Sequence, residues 1–135
     1  ALVDKFWVKF KDGKVIDYDA EVGKEILKGI IESDEYSCFL GECALVDKNT
    51  AIAQTNFVYD ETCLDENASC HIAFGDAFPE CLKGAEDESI DERRERGLNH
   101  SDNHVDFMIG TDDLNIVAET KDGEKLIFRN GEFNL

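Results

Sequence analysis

The sequence predicts an α/β (or α+β) domain built on a mixed β-sheet, with hairpins and few helices. Three observations lead there. Two stretches alternate apolar and polar residues on either side of a Lys-Asp-Gly turn, which marks β-hairpins. One stretch repeats its apolar residues at helical spacing. Several short apolar runs between charged or small-residue segments read as further strands. With 135 residues, the chain is expected to form a single domain over 1–135.

The elements follow in order. Residues 6–18, "FWVKFKDGKVIDY", carry the first hairpin signal. Val22, Ile26, Leu27, Ile30 and Ile31 recur at helical spacing, and acidic residues precede them, so a helix is predicted over 20–33. "GECALVD", 41–47, is short and apolar and reads as a strand. Residues 56–59, "NFVY", look strand-like inside an otherwise mixed stretch that holds the single proline, Pro79. Residues 86–103 are dense in charge and read as a solvated loop with a short helix. "HVDFMIG", 104–110, reads as a buried strand. Residues 114–133 form the second hairpin, around the second Lys-Asp-Gly turn.

Composition narrows the function classes. There are 31 acidic and 14 basic residues, a net charge of -17. Phosphates would be repelled, so no nucleic acid and no membrane surface is expected as a partner. Five cysteines, Cys38, Cys43, Cys63, Cys70 and Cys81, are odd in number and irregular in spacing. They are expected to be free, mostly buried thiols, which points to the cytoplasm. No apolar run approaches the length of a membrane span.

The residues that could carry chemistry stand in three segments. His104 and Asp106 lie two apart on a predicted strand, so both face one side. An imidazole and a carboxylate on one side can converge on a divalent ion, or form a satisfied core pair. Glu66 and His71 flank small residues in "DENASCH". Here Glu66 is a ligand or a surface acid, and His71 a ligand or a hydrogen-bonded core histidine. Glu42 is the lone charge in "CFLGECALV", where a buried acid needs a partner or a metal. Two imidazoles and three carboxylates could hold two ions, and mixed nitrogen and oxygen donors suit zinc, cobalt or manganese better than calcium. Such a pair of ions would polarise a carbonyl and activate water for hydrolysis.

"FLGECALV", "DENASCHIAFGDAFP" and "HVDFMIG", in this order and spacing, resemble the M29 family of metallo-aminopeptidases. The blocks "FKDGKVIDYDAEVGKEILKGIIESDE" and "DLNIVAETKDGEKLIFRNGEF" extend the likeness over nearly the whole chain. The resemblance implies the C-terminal domain of a thermophilic-type metallo-aminopeptidase, with two divalent ions, variously cobalt, zinc, magnesium or manganese. It implies Glu42 as a carboxylate bridging both ions, and Glu66, His71, His104 and Asp106 as further ligands. His100 matches no ligand and is expected to be an exposed loop residue. The implied substrate is a peptide that loses its N-terminal residue, and the implied full-length enzyme is a homodimer.

Two departures from the family pattern bear on activity. The family has a further metal-binding glutamate upstream, in a segment absent from these 135 residues, so the chain is expected to be a fragment without the N-terminal domain. A set short of one ligand is expected to hold its ions weakly, leaving hydrolysis by the fragment near background. In the family motif H-x-A-x-G-x-x-Y-P the tyrosine position is here Phe78, which has no hydroxyl to donate. The competing expectation is therefore a non-catalytic, degenerate homologue or assembly module.

Overall fold

The computed structural model describes residues 2–134. In chain order the elements are β1 (Asp4–Lys11), β2 (Lys14–Val22), α1 (Lys24–Ile31), β3 (Leu40–Ala44), α2 (Ala51–Thr55), α3 (Thr62–Asp65), β4 (His71–Gly75), α4 (Ile90–Glu95), β5 (His104–Met108), β6 (Ile116–Thr120), β7 (Gly123–Arg129) and β8 (Glu132–Phe133). Short 3-10 turns lie at Glu66–Ala68, Pro79–Cys81 and Ala85–Asp87. Among the described residues the strands form three sheets, β1-β2, β3-β4-β5 and β6-β7-β8, each in that order. Hairpins, short strands and few helices make this the mixed α/β architecture expected from the sequence.

The chain divides into two compact units. The first comprises the stretch up to Glu42 together with Ala73–Asp106. Its hairpin turns at Asp12 and Gly13, both at positive φ (51° and 77°), the two-residue turn that matches the right-handed twist of paired strands. The ladder runs antiparallel from Lys11↔Lys14 to Asp4↔Val22. Helix α1 begins only after Gly23, whose φ of 75° turns the chain out of the ladder. Residues 20–22, predicted as helix, thus belong to β2: Ala20 and Val22 have cross-strand partners in Phe6 and Asp4, and Val22 is exposed. Sheet pairing outweighs a spacing that is helical on paper. The apolar face of α1 buries Leu27 and Ile31. Ala73, Phe74, Ala77 and Ala85 complete the buried apolar set of this unit, and the Phe10 ring lies 6.0 Å from that of Phe74.

The second unit comprises Cys43–Ile72 together with the stretch from Phe107. β6 and β7 pair from Ile116↔Phe128 to Thr120↔Gly123, and Gly123 (φ 108°) opens the return strand. β8 adds a short third strand, because Asn130 and Gly131 turn the chain again at positive φ. Phe128 is fully buried and meets the Phe133 ring edge-on at 5.0 Å. Residues 56–59 form no strand. Asn56 ends α2 in the left-handed conformation, leaving Phe57 and Val58 exposed beyond it. The strand expected over 41–47 is Leu40–Ala44.

All five cysteines are unpaired. Their expected burial is corrected: Cys70 alone is buried, Cys38 is intermediate, and Cys43, Cys63 and Cys81 are exposed. The buried thiol is held in place, with its sulfur 3.2 Å from the Val46 amide nitrogen. No helix among the described residues is long and apolar enough to cross a membrane.

Candidate metal centre

Glu42 sits at the middle of β3, whose residues are half-buried apart from exposed Cys43. Its neighbour Gly41 explains why the strand can lie so close to the turn after β4. A β-carbon at position 41 would overlap the Asp76 carbonyl oxygen and come within 2.6 Å of that of Gly75. Only a residue without a side chain fits there.

β5 supplies the facing groups. His104 and Asp106 alternate onto the same side of the strand, as their spacing predicts. The His104 Nε2 lies 3.2 Å from Oε2 of Glu42 and 3.3 Å from Oδ1 of Asp106. Carboxylate oxygens of Glu42 and Asp106 lie within 4.8 Å of each other. These side chains are largely withdrawn from solvent: 24% exposed for His104 and Glu42, 12% for Asp106. Within the first unit, then, the fold brings together three of the five expected ligands, from two strands.

The hydrogen bonding of His104 decides what this cluster is suited to hold. The Nδ1 atom lies 2.9 Å from the Asp76 main-chain oxygen. A carbonyl only accepts, so Nδ1 carries the proton. In the neutral ring the lone pair is then on Nε2, the atom that faces the two carboxylates. Three acceptors pointing at one another repel unless a positive charge stands among them, either a second proton on the ring or a cation. Asp106 sharpens the case: its Oδ1 is buried and accepts no hydrogen bond among the described residues, although Nε2 is near it. A buried, unsatisfied carboxylate oxygen is costly. Two carboxylates and a neutral imidazole of fixed tautomer are the donor set that divalent ions such as zinc, cobalt or manganese take.

The other two expected ligands belong to the second unit. His71 opens β4 and is buried, 2% exposed. Its Nδ1 lies 3.0 Å from the Ser69 main-chain oxygen. This fixes the same tautomer as in His104, with the proton on Nδ1. Glu66 begins the 3-10 turn Glu66–Ala68 directly after α3, and is half-buried.

Phe78 precedes the turn Pro79–Cys81. Its ring centroid lies 5.1 Å from that of His104, with the planes tilted by 51°. The residue is 48% exposed, so it lies against the imidazole while about half of it remains open to solvent. His100 lies in a loop, as expected, but is less exposed than expected. It is half-buried, and its Nδ1 lies 2.8 Å from Oδ1 of Asp76.

Two aspartates that support the cluster were not singled out by the sequence. Asp76 stands inside "HIAFGDAFP", but nothing in its spacing signals that its carbonyl orients a histidine 28 positions on. Asp34 has no local signal at all. Its Oδ2 accepts from the Ser101 hydroxyl at 2.6 Å and the Asp102 amide at 3.0 Å. Its Oδ1 accepts from the amides of Tyr36 and Ser37. Desolvation alone would raise this carboxyl, but those hydrogen bonds more than offset it and hold it at about 2.

The family model for thermophilic metalloprotease (M29) matches residues 1–133. Aminopeptidase AmpS of Bacillus subtilis and aminopeptidase 2 of Geobacillus stearothermophilus are each 44% identical over 133 residues, covering 98% of this chain and 32% of the relative. The solved structure of wild-type AmpT from Thermus thermophilus superposes with a TM-score of 0.85 at 37% identity, over 98% of this chain and 32% of that one. The chain therefore spans about a third of the length of the curated relatives it matches. With a family match over nearly every residue and relatives 44% identical across it, the chain belongs to the M29 family of thermophilic metalloproteases.

Proposed function

We propose that this chain is the metal-holding part of a metallo-aminopeptidase, which removes the N-terminal residue of peptides by hydrolysis. The observation that carries the reading is the His104 ring. Its Nδ1 proton is committed to the Asp76 carbonyl, and its Nε2 faces two carboxylates at 3.2 and 3.3 Å. Family membership and relatives named aminopeptidases support it.

On this reading Glu42, His104 and Asp106 hold a divalent ion, and the family resemblance gives His71 and Glu66 as further ligands. Bound there, such ions polarise a carbonyl and lower the pKa of water to near neutrality. The remaining work falls to the chain. The two main-chain carbonyls at Asp76 and Ser69 keep both imidazoles in the tautomer that offers Nε2. A carboxylate free of the ions would have to take the proton from the attacking water and return it to the leaving amine, and Glu42 and Asp106 are assigned to the ion itself. Phe78 presents an apolar face beside His104 and donates no hydrogen bond to a developing oxyanion. The finer features proposed with this reading are two ions, drawn from cobalt, zinc, magnesium or manganese, a homodimeric full-length enzyme, and the cytoplasm.

The alternative, a non-catalytic relative that keeps the fold and binds metal weakly, is not favoured by relatives named aminopeptidases, although Phe78 lacks the hydroxyl. One experiment separates the two. Cobalt binding and hydrolysis of leucine p-nitroanilide are measured on the full-length protein, with and without a chelator, beside its His104→Ala variant. The enzyme reading expects metal-dependent hydrolysis that the variant loses. Cobalt binding without turnover would select the second reading, and no His104-dependent binding at all would overturn the site.

A further inference from the structure

The His100–Asp76 pair lies outside the ligand set, yet it touches the group that orients His104. The Asp76 main chain makes three contacts that define the cluster's geometry. Its carbonyl accepts from His104 Nδ1 at 2.9 Å. Its amide donates to the Asn103 carbonyl at 2.7 Å, one residue before His104. The same carbonyl oxygen occupies the space a side chain at Gly41 would need, one residue before Glu42. The position of this one peptide unit therefore sets both how far β3 approaches and which way the His104 ring turns.

The Asp76 side chain is what holds that unit. Its Oδ1 accepts from His100 Nδ1 at 2.8 Å and from the Ser101 amide at 3.1 Å. Those residues are themselves anchored. The Ser101 hydroxyl donates to Asp34 at 2.6 Å, and the Arg94 guanidinium donates to the His100 carbonyl at 2.9 Å. Gly75, just before Asp76, has φ of 92°, and its carbonyl accepts from the Asn99 side chain at 2.6 Å. The turn after β4 and the run 99–103 are thus stitched together by side chains outside the Glu42–His104–Asp106 cluster.

We propose that Asp76 and His100 are positioning residues for the metal centre, acting through the Asp76 carbonyl on the tautomer and orientation of His104. The inference rests on the reading of His104 as a ligand. Without the His100 and Ser101 contacts, the Asp76 peptide can rotate and the Nδ1 acceptor is lost. The neutral ring then exchanges its proton between the two nitrogens, and a fraction of molecules presents an N–H to the ion instead of a lone pair. Groups that orient a metal-bound histidine typically contribute about 10- to 100-fold in affinity.

The test uses the full-length protein with cobalt alone as the probe. Its d–d absorption is titrated for wild type, His100→Ala, His100→Asn, Asp76→Ala and His104→Ala, and 15N chemical shifts of labelled histidine report the His104 tautomer in metal-free protein. Expected is a roughly tenfold or greater loss of cobalt affinity in His100→Ala and Asp76→Ala. His104 should show a mixed tautomer in both. His100→Asn should restore most of the affinity, because its amide nitrogen can stand where Nδ1 stood. Far-UV circular dichroism confirms folding, and His100→Ala decides alone if Asp76→Ala does not fold. Wild-type affinity and a pure Nδ1–H tautomer in folded His100→Ala would overturn the proposal. Failure of the ligand reading looks different: His104→Ala would then bind cobalt as well as wild type.

Discussion

The Nδ1 of His104 donates to the main-chain carbonyl of Asp76 at 2.9 Å, across 28 residues of sequence. The same carbonyl lies against Gly41 on the neighbouring segment. Gly41→Ala should therefore act at a distance from any ligand atom. A methyl group there must push away either β3 or the Asp76 peptide. The expected result is about 1–3 kcal/mol of lost stability from overpacking, read by urea denaturation. Cobalt affinity should fall by tenfold or more, because Glu42 and His104 both move. Unchanged stability would show that the turn after β4 yields freely.

Asp106 carries a buried oxygen that has no hydrogen bond among the described residues. In metal-free protein this is a cost, and Asp106→Asn removes the charge while keeping the shape. The variant should be more stable than wild type without metal, by about 1 kcal/mol, yet bind cobalt far more weakly. Thermal melts with and without cobalt check both halves. A destabilised metal-free variant would mean that the carboxylate is already compensated within the protein.

Asp34 links the start of the fold to the run before β5. Its carboxyl is held at about 2, against 3.8 ordinarily. The folded value is the lower one, so folding favours the ionised form. That stability is fully present above pH ~4 and is lost as pH falls from about 4 towards 2. Screening at a partly exposed site limits it to roughly 1 kcal/mol. Asp34→Asn should therefore be less stable than wild type at neutral pH, with the gap closing below pH ~3. A gap that stays constant down to pH 2 would remove the charge from the explanation.

The Phe78 ring lies 5.1 Å from that of His104, and about half of the residue is open to solvent. On the proposed aminopeptidase reading, Phe78→Tyr in the full-length protein should raise kcat, by up to about 100-fold if the new donor reaches the developing oxyanion. KM should change little, since the gain lies in the transition state. A fall in kcat would show that the site works with an apolar wall there and that the hydroxyl disturbs it.

Much of this protein was legible in local sequence. Hairpin turns depend on two residues, and Asp12-Gly13 at positive φ was readable as such. Strand alternation has a period of two, so His104 and Asp106 had to share a face once β5 formed. The family motifs marked Glu42 as well. Other features were settled only in three dimensions. Residues 20–22 have helical spacing, but Phe6 and Asp4 hold them in the ladder. Phe57 and Val58 look like a strand, but among the described residues no strand pairs with them. His100 looked idle until Asp76 was found 2.8 Å away. The physical reason is the range of the interactions. Side-chain direction and turn conformation are set by the nearest bonds, whereas the partner of a carbonyl or a buried carboxylate is whatever distant segment the packed chain brings against it.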